Sequence, residues 1–187
     1  MKLISALVAT TFALAAPACA APDKPVAIDD PQLKGAGSLA VSSPDFAAGA
    51  MIPARHTSYG QSVSPALAWS GAPAATRSFA LIVQDPDAPT PKPFVHWMLW
   101  NLPGSAAGLA DGAVPDGARQ GKLMFVGTVG YMGPRPPAGP AHHYHFQVFA
   151  LDRPLETPQG AELPALTAAM AGHVLASGEL VALSQKP

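Results

Sequence analysis

Residues 78–104 read SFALIVQDPDAPTPKPFVHWMLWNLPG, and the fold of the chain follows from this stretch. Residues 79–83 form an unbroken apolar run, which is typical of a strand buried on both faces. Four prolines in residues 85–93 then exclude regular structure. Residues 94–104 return to aromatic and β-branched side chains and end in Pro-Gly. The stretch therefore predicts two central strands joined by a rigid, irregular loop.

Strand patterns recur along the chain without the regular strand–helix alternation of a parallel sheet. The predicted strands lie at 38–46, 65–71, 122–133, 142–152 and 179–185. Residues 161–178 instead space their apolar side chains by three and four, which predicts an amphipathic helix with Gly178 as its C-cap. A charged fraction of only 12% and a count of 22 prolines also favour a β-rich, loop-rich domain.

The first twenty residues have the pattern of a secretory signal peptide. Lys2 precedes a short apolar core, which ends in the small residues Ala18, Cys19 and Ala20. The core is shorter than the roughly 20 residues that span a bilayer. We therefore expect cleavage after residue 20, a periplasmic or secreted protein, a flexible leader at 21–37 and one domain at 38–187. Lipid attachment at Cys19 is the alternative.

Composition excludes several classes of function for the cleaved chain. Cys19 is the only cysteine, so the domain has no disulfide, thiol nucleophile or cysteine metal ligand. The full chain has a formal net charge of −1, and loss of Lys2 lowers it further (−1 − 1 = −2), so the protein has no basic field for nucleic acid. The sequence also lacks the Gly-x-Ser-x-Gly, Gly-Lys-Ser/Thr and His-Glu-x-x-His patterns. Since no nucleophile is marked, we expect a protein without enzymatic activity and without a cofactor.

Polar residues interrupt the apolar pattern at the two central strands. Asp85 and Asp87 come directly after the first strand, where functional side chains are common, although Asp-Pro also begins turns. His96 lies inside the second strand, and a period of two places it on the face of Met98 and Trp100. A buried imidazole needs a polar partner. We predict a direct interaction between His96 and Asp85.

A third cluster, HHYH, occupies residues 142–145 at the start of another strand. Alternation places His142 and Tyr144 on one face and His143 and His145 on the other. A zinc site needs three or four ligands, which for His142 would require His96 and an aspartate. We favour an interpretation without metal, in which His143 and His145 face solvent.

Together these stretches resemble the phosphatidylethanolamine-binding protein family, and within it the bacterial Raf-kinase-inhibitor-like branch. The resemblance covers residues 38–185. The matching stretches, in the family's order, are DPDAP (85–89), HWMLWN (96–101), GYMGPRPPAG (130–139) and HHYHFQVFALD (142–152). The resemblance implies a mainly β fold with a large central antiparallel or mixed sheet, a smaller flanking sheet and one or two helices.

The resemblance also implies a small anion pocket at one edge of the fold. Family members bind phosphate-like anions and phospholipid headgroups there, and eukaryotic members inhibit kinases or proteases. The residues that match the pocket are Asp85, Asp87, His96, Pro136, Pro137, His142 and Tyr144. Imidazole N–H and phenol O–H groups would donate to the anion. Arg135, between the prolines, is interpreted as a solvated loop residue.

Three functions fit these observations. The first is an exported protein that binds a small phosphate-like or carboxylate anion or a phospholipid headgroup. The second is inhibition of an extracytoplasmic serine protease or another protein partner. The third is hydrolysis of a substrate with Asp85 and His96 as acid and base on water. We expect the first, because the resemblance implies a pocket at the candidate residues and no nucleophile accompanies them.

Overall fold

The computed structural model describes residues 24–123 and 127–187, so the proposed signal peptide and Cys19 lie outside the described residues. The elements are β1 (Gly37–Ser38), β2 (Ala40–Ser42), β3 (Leu67–Ser70), β4 (Ser78–Asp85), β5 (Phe94–Pro103), β6 (Gly108–Leu109), β7 (Arg119–Gln120), β8 (His142–Leu151), α1 (Leu163–Met170) and β9 (Val174–Ser184). Within those ranges, no helix has the length and apolar character needed to cross a membrane.

The strands form two sheets, which confirms the predicted mainly β architecture. The large sheet has the order β1-β9-β8-β4-β5-β7 and is mixed, since β1 runs parallel to β9 while the other pairs are antiparallel. The small sheet has the antiparallel order β2-β3-β6. Every residue of β4 is buried, as its unbroken apolar run predicts for the centre of a sheet covered on both faces.

Each face of the large sheet carries its own hydrophobic core. The core between the two sheets, which we call the first face, joins Leu81, Val83 and Phe146 of the large sheet to Leu67 and Trp69 of the small one. The core on the second face joins other large-sheet residues to α1 and to the N-terminal turns. Its members include Ile82, Met98, Trp100, Phe149, Leu33, Leu166 and Met170. Alternate residues of one strand therefore supply both cores.

Strand β5 contains two irregularities in its pairing with β4, at His96 and at Asn101. Two successive residues of β4 pair with Val95 and Trp97, which leaves His96 as an extra residue, and Asn101 is left over in the same way. Each such β-bulge breaks the alternation of side chains along the strand. The His and Asn that are five residues apart in the sequence are thus the two bulge residues of β5.

The first bulge overturns the predicted orientation of His96. Strict alternation placed His96 with Met98 and Trp100, but those two side chains belong to the second-face core. The imidazole instead packs edge-on against Tyr144, with ring centroids 5.0 Å apart, and Tyr144 belongs to the first-face core. The extra residue therefore moves His96 to the face where the other candidate site residues lie.

The predicted helix at 161–178 is too long. It ends at Met170, and Gly172 follows with a φ of 78°, a conformation that glycine adopts without steric cost. Gly178 lies inside β9 and is no cap. A Cβ on Gly178 would stand 2.1 Å from the carbonyl oxygen of Leu39, so the neighbouring chain needs a glycine there. The apolar residues after 172 are periodic, but they continue as strand.

The predicted flexible leader differs from the structure over residues 24–37. Residues 27–29 and 31–33 form short 3-10 turns. Val26, Ala27 and Leu33 are buried. The backbone N–H of Ala27 donates to the side chain of Gln84 at 2.8 Å, and that of Ile28 donates to Gln147. Polar side chains on the second face thus hold this segment against the sheet.

The strand predicted at 122–133 is also wrong for the residues that are described. Residues 124–126 lie outside the described ranges. The remainder of the segment has a single isolated bridge, between Lys122 and Val129. Glycines at 127, 130 and 133 interrupt the pattern, and two of them, Gly127 and Gly130, have positive φ. An extended run is incompatible with those backbone angles.

Candidate functional site

Asp85 is the centre of the candidate site. It ends β4, and only 3% of its surface is exposed. Its Oδ1 accepts hydrogen bonds from the backbone N–H groups of Asp87 and Ala88, at 2.8 and 3.0 Å. This is the local turn that an Asp-Pro-Asp sequence favours. The turn leaves Oδ2 of Asp85 available for partners from other strands.

Oδ2 of Asp85 pairs with His142, the first residue of β8, at 2.8 Å from the imidazole Nδ1. A carboxylate only accepts hydrogen bonds, so Nδ1 of His142 carries a hydrogen and donates it. Both side chains are largely buried, 4% exposed for Asp85 and 11% for His142. Nε2 of His142 is therefore the nitrogen left for a ligand.

His96 makes a different bond from the one predicted. Its Nδ1 lies 2.8 Å from the carbonyl oxygen of Met132, and the backbone N–H of Met132 donates to the carbonyl of His96 at 2.9 Å. The predicted direct bond between His96 and Asp85 is thus wrong, because the bulge aims the ring at the 131–133 segment. Asp85 still acts on His96 through its charge.

The pKa of His96 is lowered from its ordinary value. Burial disfavours the charged ring, and this outweighs the Met132 carbonyl and the Asp85 charge, which favour it. A neutral His96 that donates from Nδ1 has a bare lone pair on Nε2. Nε2 of His96 can therefore accept a hydrogen bond from a ligand but cannot donate one.

Tyr144 completes the inner part of the site and is 1% exposed. Burial raises the pKa of its phenol, and the charge of Asp85 and a hydrogen bond to that carboxylate raise it further. The hydroxyl is therefore neutral and directs its hydrogen at Asp85. The sequence predicted Tyr144 as a donor to an anion, but the structure uses that donor internally.

Asp87 and His143 form a second pair beside the first. Both the backbone N–H and the Nδ1 of His143 lie within 2.8 Å of Oδ2 of Asp87. Burial alone would raise the pKa of Asp87, but the hydrogen bonds and charge of His143 lower it overall. The prediction that His143 only faces solvent is wrong for this reason. His145 likewise bonds a carboxylate, Glu179, at 2.9 Å.

The loop at residues 133–140, which contains Pro134, Pro136 and Pro137, is held in place by Ser58 and Tyr59 of a second loop. The backbone and side chain of Ser58 donate to the carbonyls of Pro134 and Gly133, at 2.9 and 2.8 Å. The Tyr59 hydroxyl donates to the carbonyl of Pro136. Pro136 itself is buried.

Two predicted loop residues lie further out. Pro137 is exposed, and no contact within the described ranges links its side chain to Asp85. Arg135 is exposed as well, with its guanidinium carbon 5.8 Å from the centre of the Tyr59 ring. This is a cation–π distance, so Arg135 is a loop residue with a stacking partner. The structure brings Asp85, His96, His142 and Tyr144 together, and Pro137 as a pocket residue stays a prediction.

Tyr59, Tyr131 and Met132 support the site, and the sequence did not single them out. Tyr131 packs edge-on against Trp97, and its hydroxyl donates to the carbonyl of His56 at 2.7 Å. Burial raises the pKa of Tyr131. For Tyr131, the sequence feature that could have marked it is the presence of a tyrosine within a glycine-rich segment. Met132 acts through its backbone, which no sequence pattern marks.

The described residues contain no group of three or more His, Cys, Asp or Glu side chains arranged to hold a metal ion. The histidines are instead distributed over separate carboxylate pairs: His142 with Asp85, and His143 with Asp87. In each pair, Nδ1 of the histidine is hydrogen-bonded to the carboxylate, and Nε2 remains available to a ligand. The chemistry available at the centre is that of an acceptor on His96 and a protonatable nitrogen on His142.

Comparison with known proteins identifies the family. The family model described as phosphatidylethanolamine-binding protein matches residues 42–185, which include the whole site. The chain belongs to the phosphatidylethanolamine-binding protein family. A UPF0098 protein from Methanothermobacter thermautotrophicus is 42% identical over 72% of this chain and 91% of its own length. The UPF0098 protein YbhB of Escherichia coli is 38% identical over 75% of this chain and 96% of its own.

Solved structures of family members have the same fold. Escherichia coli YbcL, described as a member of the mammalian family, superimposes with a TM-score of 0.74 at 30% identity, covering 80% of this chain and 99% of its own. A Chlamydia trachomatis homologue gives a TM-score of 0.75 at 34% identity over the same shares.

The Mycobacterium tuberculosis relative LppC, named as a lipoprotein, is 39% identical over 75% of this chain and 68% of its own length.

Proposed function

We propose that this protein binds a small phosphate-type anion between Nε2 of His142 and Nε2 of His96. The observation that carries the proposal is the allocation of hydrogen-bond donors. Nδ1–H of His142 donates a hydrogen bond to Asp85, and Nδ1–H of His96 donates one to the carbonyl of Met132. Two Nε2 atoms then remain in one cluster, and His96, His142 and Asp85 lie close enough to influence one another's charge.

A monoprotonated phosphate group suits this pair of nitrogens. Its P–OH donates to the bare Nε2 of His96, and an anionic oxygen accepts from Nε2–H of a protonated His142. The Asp85 carboxylate lies on the other side of the same ring, 2.8 Å from Nδ1 of His142. The carboxylate beside an anion site is thereby explained: it compensates the imidazolium and does not touch the ligand.

Calorimetry with inorganic phosphate, phosphoethanolamine and sulfate tests the proposal. We expect phosphate and phosphoethanolamine to bind more tightly than sulfate, which has no hydrogen for His96. His142→Asn keeps an N–H near Asp85 and removes Nε2, so we expect affinity to fall about 10- to 100-fold, the usual effect of losing a charged hydrogen bond. His173→Asn is the matched control, because His173 bonds a carboxylate elsewhere, Asp152, at 3.0 Å. Equal binding in both variants would contradict the assignment.

We further propose that the domain works outside the cytoplasm after removal of residues 1–20. The signal-like segment supports this. The relative LppC, named as a lipoprotein, supports an envelope location and keeps lipid attachment at Cys19 as the alternative. Mass spectrometry of the mature N-terminus distinguishes the two, since it gives either Ala21 or a diacylated Cys19. An intact Met1 in the native host would refute both.

Binding without turnover is part of the proposal. Among the described contacts, neither His96 nor His142 has a serine or threonine hydroxyl as a hydrogen-bond partner. The hydrolase alternative now requires His142, oriented by Asp85, to activate water. Turnover of phosphate or acyl esters that His142→Asn abolishes would replace binding by hydrolysis. Capture of an extracytoplasmic serine protease by the protein would instead favour the inhibitor alternative.

A further inference from the structure

A second cavity lies on the opposite face of the large sheet from the candidate site. Its volume is about 650 Å³. Its floor includes Val95 and Met98, and both residues belong to the second-face core. Its walls are the N-terminal segment 24–31, the loop at 91–93 and the first turn of α1. Cavities of 300–1,000 Å³ are typical of small-molecule sites.

The lining is apolar and rigid. Three prolines from three different parts of the chain, Pro25, Pro93 and Pro164, contribute to it. Proline fixes its own φ, so walls of this composition change shape little when a ligand enters. An apolar body on Val95 and Met98 would be removed from water without disturbing the sheet. The cavity is therefore a preformed surface for an apolar part of a ligand.

The NH2 group of a buried glutamine side chain lies at the cavity and has no hydrogen-bond partner within the described residues. Gln84 is 2% exposed and lines the cavity. Its Oε1 accepts from the backbone N–H of Ala27 at 2.8 Å and from Nε2 of Gln147 at 3.0 Å. No acceptor in the described ranges is bonded to its own Nε2, although every fully inaccessible side-chain N or O there has a partner. This Nε2 is therefore a donor that remains accessible, and the cavity is where an acceptor can reach it.

Charged groups at the rim favour an anionic acceptor at the loop side. Lys24 donates to the carbonyl of Ala88 and so lies against the loop that carries Lys92. Two carboxylates of the wall, Asp29 and Asp30, keep their charge but lie on the N-terminal segment, where they accept hydrogen bonds from the backbone N–H groups of Val26 and Gln32 at 2.9 Å. The third cation and the third carboxylate, Lys122 and Glu162, lie toward the start of α1.

We propose that this cavity binds a small amphipathic carboxylate. Its apolar chain lies on Val95 and Met98, and its carboxylate accepts hydrogen bonds from Nε2 of Gln84 and from the ammonium groups of Lys24 and Lys92. A cation and a buried amide donor suit a carboxylate, and an apolar floor suits a hydrocarbon chain. The site is separate from the His96–His142 site, because its floor belongs to the other face of the sheet.

Titration calorimetry with decanoate below its micelle concentration tests this proposal. Decanol and acetate are the matched probes, since one lacks the charge and the other lacks the chain. We expect saturable 1:1 binding of decanoate, at least tenfold weaker binding of decanol, and none of acetate. Partitioning of decanoate without saturation, or equal affinity for decanol, would overturn the proposal.

Variants locate the binding. Thr167→Trp fills the cavity from α1 and is expected to abolish decanoate binding, whereas Ala165→Trp, on an exposed position of the same helix, leaves it unchanged. Replacing Lys24 and Lys92 by Gln is expected to reduce decanoate affinity at least fivefold without affecting decanol, and Lys34→Gln is the control on an exposed lysine outside the cavity. His142→Asn is expected to change nothing. Decanoate binding that survives Thr167→Trp and the double lysine variant would refute the site.

Discussion

Anion binding at His142 is expected to take up one proton from solution. Nδ1 of His142 donates to Asp85 at 2.8 Å, so Nε2 carries a hydrogen only when the ring is positively charged. The donors of His96 and Tyr144 are used by Met132 and Asp85 in the same manner. Of these three side chains, only a protonated His142 therefore has a hydrogen left for an anion without one of its own, such as sulfate.

The size of the effect follows from this count of hydrogens. Uptake of one proton per anion changes the binding constant tenfold per pH unit on the alkaline side of the titration, about 1.4 kcal/mol. Calorimetry of sulfate binding at several values between about pH 5.5 and 8.5, the range in which histidine rings titrate, measures the slope. Repeating each titration in buffers of different ionisation enthalpy counts the protons directly. We expect the count to approach one on the alkaline side of the titration.

The control variants separate His142 from the other histidines. His142→Asn preserves a donor for Asp85 but has no Nε2, so both the affinity for sulfate and its pH dependence are expected to disappear. His173→Asn removes a half-buried histidine that is also paired with a carboxylate, Asp152, and is expected to retain both. A sulfate affinity that stays constant across the pH range, or binding without proton uptake, would show that the anion uses other donors.

Three further predictions concern stability. Asn101→Ala is expected to lower the free energy of unfolding by about 2–4 kcal/mol, because the side chain makes two hydrogen bonds with Leu155 and alanine is strained at the backbone φ of 60°. Asn101→Gly loses the same hydrogen bonds without that backbone strain, so urea unfolding should show a smaller loss of stability. Gly133→Ala is expected to cost about 1–3 kcal/mol in the same assay, because its Cβ would stand 2.6 Å from the carbonyl oxygen of His56; an unchanged midpoint would contradict this. The pKa of His96 is lower in the folded state than its ordinary 6.5, so the unfolded chain binds more protons and stability falls as pH drops below about 6.5 toward the lowered pKa. His96→Gln should flatten that decline, and equal slopes for the two proteins between pH 7 and 5.5 would refute it.

Much of the architecture was predictable from local pattern. The apolar run at 79–83 is buried along its whole length as β4, and the HHYHFQVFALD stretch forms β8. The first succeeds because burial on two faces requires an apolar side chain at every position. The alternation in HHYH also placed His142 and Tyr144 on one face correctly, since that part of β8 pairs without a bulge.

The errors arose where the backbone departs from its repeat. Strict alternation failed at His96, because an extra residue in β5 is visible only through its pairing with β4. Periodicity also extended the helix past Gly172, since the same spacing of apolar residues suits the end of α1 and the start of β9. The leader looked polar and irregular, yet Gln84 and Gln147 anchor it from strands more than fifty residues away.

The sequence by itself determined the mainly β fold, the family and the set of polar residues at the strand ends, because these depend on composition and short-range pattern. Only the tertiary structure decided which atom bonds which. It pairs Asp85 with His142, turns His96 toward Met132 and joins His143 to Asp87. The reason is geometric. A hydrogen bond tolerates a change of only a few tenths of an ångström in the donor–acceptor distance, and here the two atoms belong to strands that are far apart in the chain. A single bulge redirects a side chain from one partner to another.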